Sequence, residues 1–170
     1  GDIKAIGATT TIEYETYIVK DRAFLRRFDR IDLEEPDRDA TIQILLGTIP
    51  RIEYKTGIKM VNNSFLRTML MESIVDATST YKRVYGLSAM YPEVSLSVLS
   101  GAFSNALFEN KPEVGIADVY TAIRDSKRIY PDSRVKECTA FREKFSRICE
   151  DAGIVLPVVK LEDVDTGEII

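Results

Sequence analysis

Past Pro36 the apolar residues fall at helical spacing almost to the end of the chain, and this periodicity constrains the fold more than any other feature. Ile42, Leu45, Leu46 and Ile49 form one stripe. Pro50 follows at once; it lacks a backbone donor, so the helix is expected to kink or end there. Asn62 suits an N-cap, and the helix it opens would turn Phe65, Leu66, Met69, Leu70 and Ile74 inward. YGLSAMYP (85–92) reads as a loop. Pro92 fits the first turn of a further helix, with Leu96, Leu99, Phe103, Ala106 and Leu107 on its inner side. KPEVG (111–115) breaks the chain again, and a helix over about 116–129 would face Val119, Tyr120 and Ile123 inward. Residues 36–130 thus read as a four-helix unit with a core of its own.

The flanks differ. DIKAIGATT (2–10) reads as a short buried strand ending in small and hydroxyl residues. Thr10 and Glu13 have the spacing of a capping box, and Asp21 can cap a short helix through Arg22 to Arg27. FDRIDL (28–33) alternates like a strand, and Glu34, Glu35 and Pro36 close it. Two strands and two short helices do not bury a core alone, so residues 1–35 are expected to be part of a larger sheet domain. Beyond residue 131, Val135, Cys138, Phe141, Phe145, Ile148 and Cys149 mark another helix, stopped by Gly153. IVLPVVKL then reads as extended, and DTG (165–167) as a turn. The expected class is α+β, mainly α: part of a sheet domain (1–35), a helical domain (36–130) and a helix-plus-strand tail (131–170).

Composition removes several functions. The 170 residues contain no histidine, which excludes His-based triads, His general bases and His metal ligands within this chain. Cys138 and Cys149 lie roughly 16 Å apart along one helix, too far for a disulfide, which needs Cα atoms within about 7 Å. Their spacing fits no zinc site, so the expected state is two buried thiols in a reducing cytoplasm. A net charge of −4 offers no footprint for nucleic acid or an anionic membrane, and no apolar run reaches the roughly 18 residues of a membrane span. No secretory signal pattern opens the chain, and Gly1 is expected to be an expression scar or a cut inside a longer protein.

One string of motifs is more specific. IGATT at 6–10 is followed by Glu13-Tyr14, Tyr17-Ile18, Lys20-Asp21 and Arg26-Arg27-Phe28. Glu35-Pro36, Thr41-Ile42, Ile44-Leu45 and Gly47 continue it. This string closely resembles the Clp family of AAA+ unfoldases and disaggregases, in particular the first ATPase module of two-module members. The resemblance covers about the first 60 residues, fades after Asn62, and returns weakly at Tyr91-Pro92-Glu93, where the family has Leu-Pro-Asp. It implies the C-terminal remnant of an AAA+ α/β domain followed by a four-helix lid.

The resemblance also implies roles. Thr10 takes the place of the sensor-1 residue, whose hydroxyl can hydrogen-bond a γ-phosphate or the attacking water. Arg26 and Arg27 take the place of the paired arginines that act on a neighbouring subunit's nucleotide. Phosphoryl transfer to water needs positioned polar groups and positive charge more than covalent help, so these residue types suit the chemistry. Adjacent helical residues point about 100° apart, so the two arginines should differ in role. Pro92 and Glu93 take the place of lid contacts to nucleotide. The sequence departs from the family at Leu25, where an acid is common, and at Val94-Ser95, where the family has Lys-Ala. No Gly-x-Arg sensor-2 motif follows.

The chain has no GxxxxGK[ST] phosphate loop, no apolar strand ending in Asp-Glu and no aromatic pore loop. Alone it is therefore expected neither to bind ATP tightly nor to hydrolyse it. The resemblance implies a parent that uses ATP and magnesium, assembles as a ring (a hexamer in the family pattern), acts on substrate proteins in the cytoplasm, and in some members engages a peptidase. Neither nucleic acid nor membrane is an expected partner. The alternative is a non-enzymatic protein-interaction module built on an AAA+ scaffold.

Overall fold

The computed structural model describes residues 4–85 and 90–163. The chain divides into two compact units, 1–34 and 35–170. The DTG turn expected at 165–167 lies outside the described residues.

The first unit begins with the expected capping box. Thr10 caps the single turn α1 (Thr11–Glu13), which continues as a wider helical turn over Tyr14–Ile18. Asp21 caps α2 (Arg22–Leu25), its carboxylate accepting the amides of Ala23 at 2.9 Å and Phe24 at 3.0 Å. Among the described residues, the stretches 4–10 and 28–33 form no strand ladder. A strand exists only through its neighbour's hydrogen bonds, and this unit provides neither stretch with one.

The second unit carries the core. α3 (Arg38–Thr56) is capped by Asp37, whose carboxylate accepts the amide of Ala40. The helix does not end at Pro50; it runs through to Gly57, which takes the left-handed conformation (φ 75°) that closes it. Pro50 is exposed, so its ring meets solvent while Ile42, Leu45 and Ile49 are buried on the other side. α4 (Ser64–Ala77) is capped by Asn63 rather than Asn62. It buries Leu66, Leu70 and Ile74 as expected, but Phe65 is 71% exposed and Met71 and Val75 fill the core in its place.

α5 (Glu93–Phe108) buries Val94, Val98, Leu99, Ala102, Phe103 and Ala106, while Leu107 faces out. Each large side chain buried this way contributes about 1.5–3 kcal/mol. α6 (Ile116–Arg124) is shorter than its apolar pattern suggested and buries Val119, Tyr120 and Ile123. Two strands escaped the sequence pattern. β1 (Lys59–Met60) pairs in parallel with β2 (Glu113–Val114), Lys59 opposite Glu113 and Met60 opposite Val114.

The tail helix α7 (Pro131–Ala152) packs on α4 and α6 and is stopped by Gly153 at φ 66°. Its Cys138, Phe141, Phe145 and Cys149 join the same core as α3 to α6. Residues 154–160 follow without a ladder, yet Leu156 and Val159 are buried in that core. Arg142 Nε donates to the Leu156 carbonyl at 3.1 Å, and the Tyr120 hydroxyl donates to the Pro157 carbonyl at 2.5 Å. A 3-10 turn at Leu161–Asp163 ends the described chain. Among the described residues no helix is long and apolar enough to cross a membrane.

Candidate functional site

In the first unit, Thr10 is held by reciprocal hydrogen bonds. Its Oγ1 accepts the Glu13 amide at 3.2 Å, while Glu13 Oε2 accepts the Thr10 amide at 3.3 Å and the Thr9 hydroxyl at 2.9 Å. Hydrogen bonds from the Thr9 hydroxyl and the Thr10 amide hold the Glu13 carboxyl below its ordinary range. The cap uses the acceptor side of the Thr10 hydroxyl, and the same hydroxyl also helps hold the Glu13 carboxyl down.

Arg26 and Arg27 lie where α2 ends, and both are exposed. The Arg27 amide donates to the Phe24 carbonyl at 2.9 Å, which closes the turn. The rings of Phe24 and Phe28 stack on either side of the pair, centroids 4.2 Å apart and planes within 12°. Among the described residues no carboxylate lies within ion-pair distance of either guanidinium. The next arginine differs: Arg30 pairs with Asp32 at 2.7 Å and lies over the Tyr14 ring at 4.6 Å. Lys20 and Arg22 of this unit likewise form no ion pair among the described residues, so the arginine pair is set apart by its place at the end of α2.

Pro92 and Glu93 belong to the second unit. Tyr91-Pro92 is a cis peptide at the start of α5, and Pro92 is half-buried. Glu93 is exposed and reaches Arg128 at 3.8 Å. Val94 and Ser95, the departures from the family, are both wholly buried. Ser95 Oγ shares a 2.7 Å hydrogen bond with Thr78 Oγ1. The first turn of α5 therefore faces the core, and Val94 could not present a cation from this position.

Sequence reasoning missed a polar cluster beside Pro92. Arg83 is 8% exposed, yet nothing in the run TYKRVY marks it as the arginine that turns inward. Its Nε donates to the Thr78 carbonyl at 2.7 Å, and its guanidinium covers the Tyr91 ring at 4.2 Å. Nη2 sits 2.7 Å from Glu35 Oε1, a tight ion pair whose N–H is not well aligned. The same Oε1 accepts the Tyr91 amide at 2.7 Å. Burial pushes the Glu35 carboxyl up, but the Tyr91 amide and Arg83 outweigh it and leave the group below its ordinary range. The one available signal was Glu35 itself, the acid of the Glu35-Pro36 pair.

The resemblance implies ATP and magnesium, and the residues here do not fit them as holders. The sequence has no phosphate loop, and among the described residues no group of three acidic or sulfur side chains could hold a metal ion. What the chain offers is a hydroxyl donor, an exposed arginine pair and a helical unit.

A threonine-capped turn, the arginine pair at the end of α2 and the Glu-Pro that opens a helical unit are the features by which the chain resembles Clp-type AAA+ proteins. Comparison with curated proteins agrees. The chain is 40% identical over 81 residues to the chaperone protein ClpB of Aquifex aeolicus, covering 48% of this chain and 8% of that protein. It is 38% identical over 73 residues to chaperone protein ClpB 2 of a Nostoc species, covering 43% and 8%. A longer match, 31% over 115 residues, is to ClpB of Rickettsia bellii, covering 66% and 12%. The chain thus spans about a tenth of the length of the relatives it matches. No family profile matches it.

Proposed function

We propose that this chain supplies part of the hydrolytic machinery of a Clp-like, ring-forming chaperone ATPase. In this reading Thr10 is the sensor residue, Arg26 and Arg27 act on a neighbouring subunit's nucleotide, and residues 36–130 act as the lid, with Pro92 and Glu93 nearest the nucleotide. The whole protein would bind ATP and magnesium through residues outside this chain. It would act on substrate proteins, and a peptidase is a further partner this class of machine can take.

The observation that carries the reading is the exposed arginine pair without a carboxylate partner, on a turn fixed at one end by Asp21 and at the other by the Phe24–Phe28 stack. A planar guanidinium held in this way can meet phosphate oxygens in two directions and stabilise charge that develops as a phosphoryl group leaves. The Thr10 hydroxyl, held in place by the cap, can turn its proton from the Glu13 carboxylate to a water or a phosphate oxygen.

The test is made in the full-length protein that carries this chain. Replacing Arg26 and Arg27 by Ala should leave nucleotide affinity nearly unchanged and lower kcat on the order of 10³-fold. Mixing with subunits that keep both arginines but have a disabled phosphate loop should restore part of the turnover. Turnover within a few-fold of wild type would remove the arginine role. A second reading, a non-enzymatic docking module, is favoured by the burial of Val94 and Ser95 in the first turn of α5, the positions where the family has Lys-Ala. A full-length protein with neither a phosphate loop nor an Asp-Glu strand would decide for it.

A further inference from the structure

The C-terminal end of α4 gathers contacts from three directions. The last carbonyls of a helix have no partners within it. Here the Tyr91 hydroxyl donates to Val75 O at 2.5 Å, Lys82 Nζ to Asp76 O at 2.7 Å and Arg83 Nε to Thr78 O at 2.7 Å. Two positive charges at this end also suit the helix dipole. The chain leading into α3 is tied to the same place. Glu35 holds Arg83 and the Tyr91 amide, and Arg38 makes a two-pronged pair with Asp76 at 2.6 and 2.9 Å. Glu35 is thus joined to residues 48 and 56 positions further on, before any helical hydrogen bond has begun.

We propose that Glu35, Arg83 and Tyr91 form a clasp that fastens the segment 35–38 to the helical unit, so that the path of the chain is set by that unit from Glu35 onward. Arg83 is suited to this by burial. Its charge is out of water, its ring partner occupies one face of the guanidinium, and Glu35 is the carboxylate that neutralises it. An isolated surface pair would contribute little, but a buried charge that loses its partner is costly, so the contact persists.

Hydrogen exchange and limited proteolysis of the whole chain test this. The Tyr91 amide is a direct reporter, because its acceptor is the Glu35 carboxylate. In Glu35→Ala its exchange should accelerate about tenfold or more, the loss expected for a hydrogen bond to a charged group. Tryptic cleavage after Arg38 should accelerate likewise, cleavage after Arg30 should not change, and the amides of Leu70 and Leu99 should keep their protection. Should Glu35→Ala fail to fold, Glu35→Gln keeps an acceptor while removing the charge, and should show the same pattern with smaller changes. Unchanged cleavage after Arg38 would overturn the clasp. So would a uniform loss of protection across Leu70 and Leu99, which would make Glu35 a contributor to global stability and nothing more. The Tyr91→Phe variant keeps the ring and the amide, and cleavage after Arg38 should match wild type.

Discussion

At the scale of single residues, the acids that matter are those that do not look special in the sequence. Glu53 lies in the last turn of α3 with its side chain only 10% exposed. Its carboxylate accepts the Met60 amide at 2.9 Å and meets Lys59 at 3.2 Å and Arg67 at 3.4 Å. Burial pushes the group up, but the amide and the two cations prevail, and the carboxyl is held below its ordinary range. A folded carboxyl that binds its proton less readily than the unfolded one contributes stability in full above the ordinary carboxylate pKa. That contribution is lost as pH falls through the ordinary value and then the lowered one. Between about pH 5 and pH 3 the Tm of wild type should therefore fall more steeply than that of Glu53→Gln. Parallel slopes would show that Glu53 is not linked to folding. Glu35 has the same sign, and its protonation weakens the clasp in the same window. Such residues were hidden because a glutamate in a helix is usually solvated, and only the return of β1 beneath α3 makes this one a partner. Thr10, Glu13 and Asp21 were legible for the opposite reason: caps are satisfied by amides two or three residues away, so spacing alone reveals them.

Elements were legible where one face is apolar over several turns. α3, α4, α5 and α7 announce themselves by spacing, and Gly153 ends α7 as its position suggested. β1 and β2 are two residues each, too short to show alternation, and they exist only because α5 brings them together. Pro50 marks the limit of local rules. Proline removes the hydrogen bond to the carbonyl four residues earlier and should break a helix, yet here tertiary packing of Leu45, Ile49 and Ile52 on both sides of it carries α3 through. The local cost remains. Pro50→Ala restores an amide on an exposed face, and should stabilise the chain by about 1–3 kcal/mol, read as a higher urea midpoint with an unchanged m-value. A lower midpoint would mean that the proline shapes α3 in a way its neighbours need.

At the scale of the whole molecule, α7 changes how the chain should be divided physically. The Phe141 and Phe145 rings lie 4.4 Å apart, tilted by 30°, Phe141 lies 5.6 Å from Tyr120, and Lys144 binds Glu72 and the Met69 carbonyl on α4. Removing residues 131–170 would expose Tyr120, Ile123 and Ile74 to water along with the vacated surface. The truncated chain 1–130 should lose stability on the order of several kcal/mol, with a broad, low melting transition by circular dichroism. A melt within a few degrees of the full chain would show that α3 to α6 suffice. This contribution was not legible because α7 has no counterpart in the resemblance, and its apolar face carries no sign of what it will cover.

The parallel pairing of β1 with β2 has a kinetic consequence. Helices α3 and α4 touch across a short connection and can find each other early, as local contacts do. The strand pair joins Met60 to Val114, so it must wait until α4, the segment after it and α5 have all been laid down. On the other side of β1, Arg67 donates to the Met60 and Val61 carbonyls at 2.8 and 2.7 Å, and Glu53 takes the Met60 amide. Those side chains occupy the outward edge of β1 from the moment α3 and α4 have docked. The edge that β2 will take, with the Lys59 and Val61 amides, is the one left open until β2 arrives, so pairing with a second molecule in that interval is confined to this single edge.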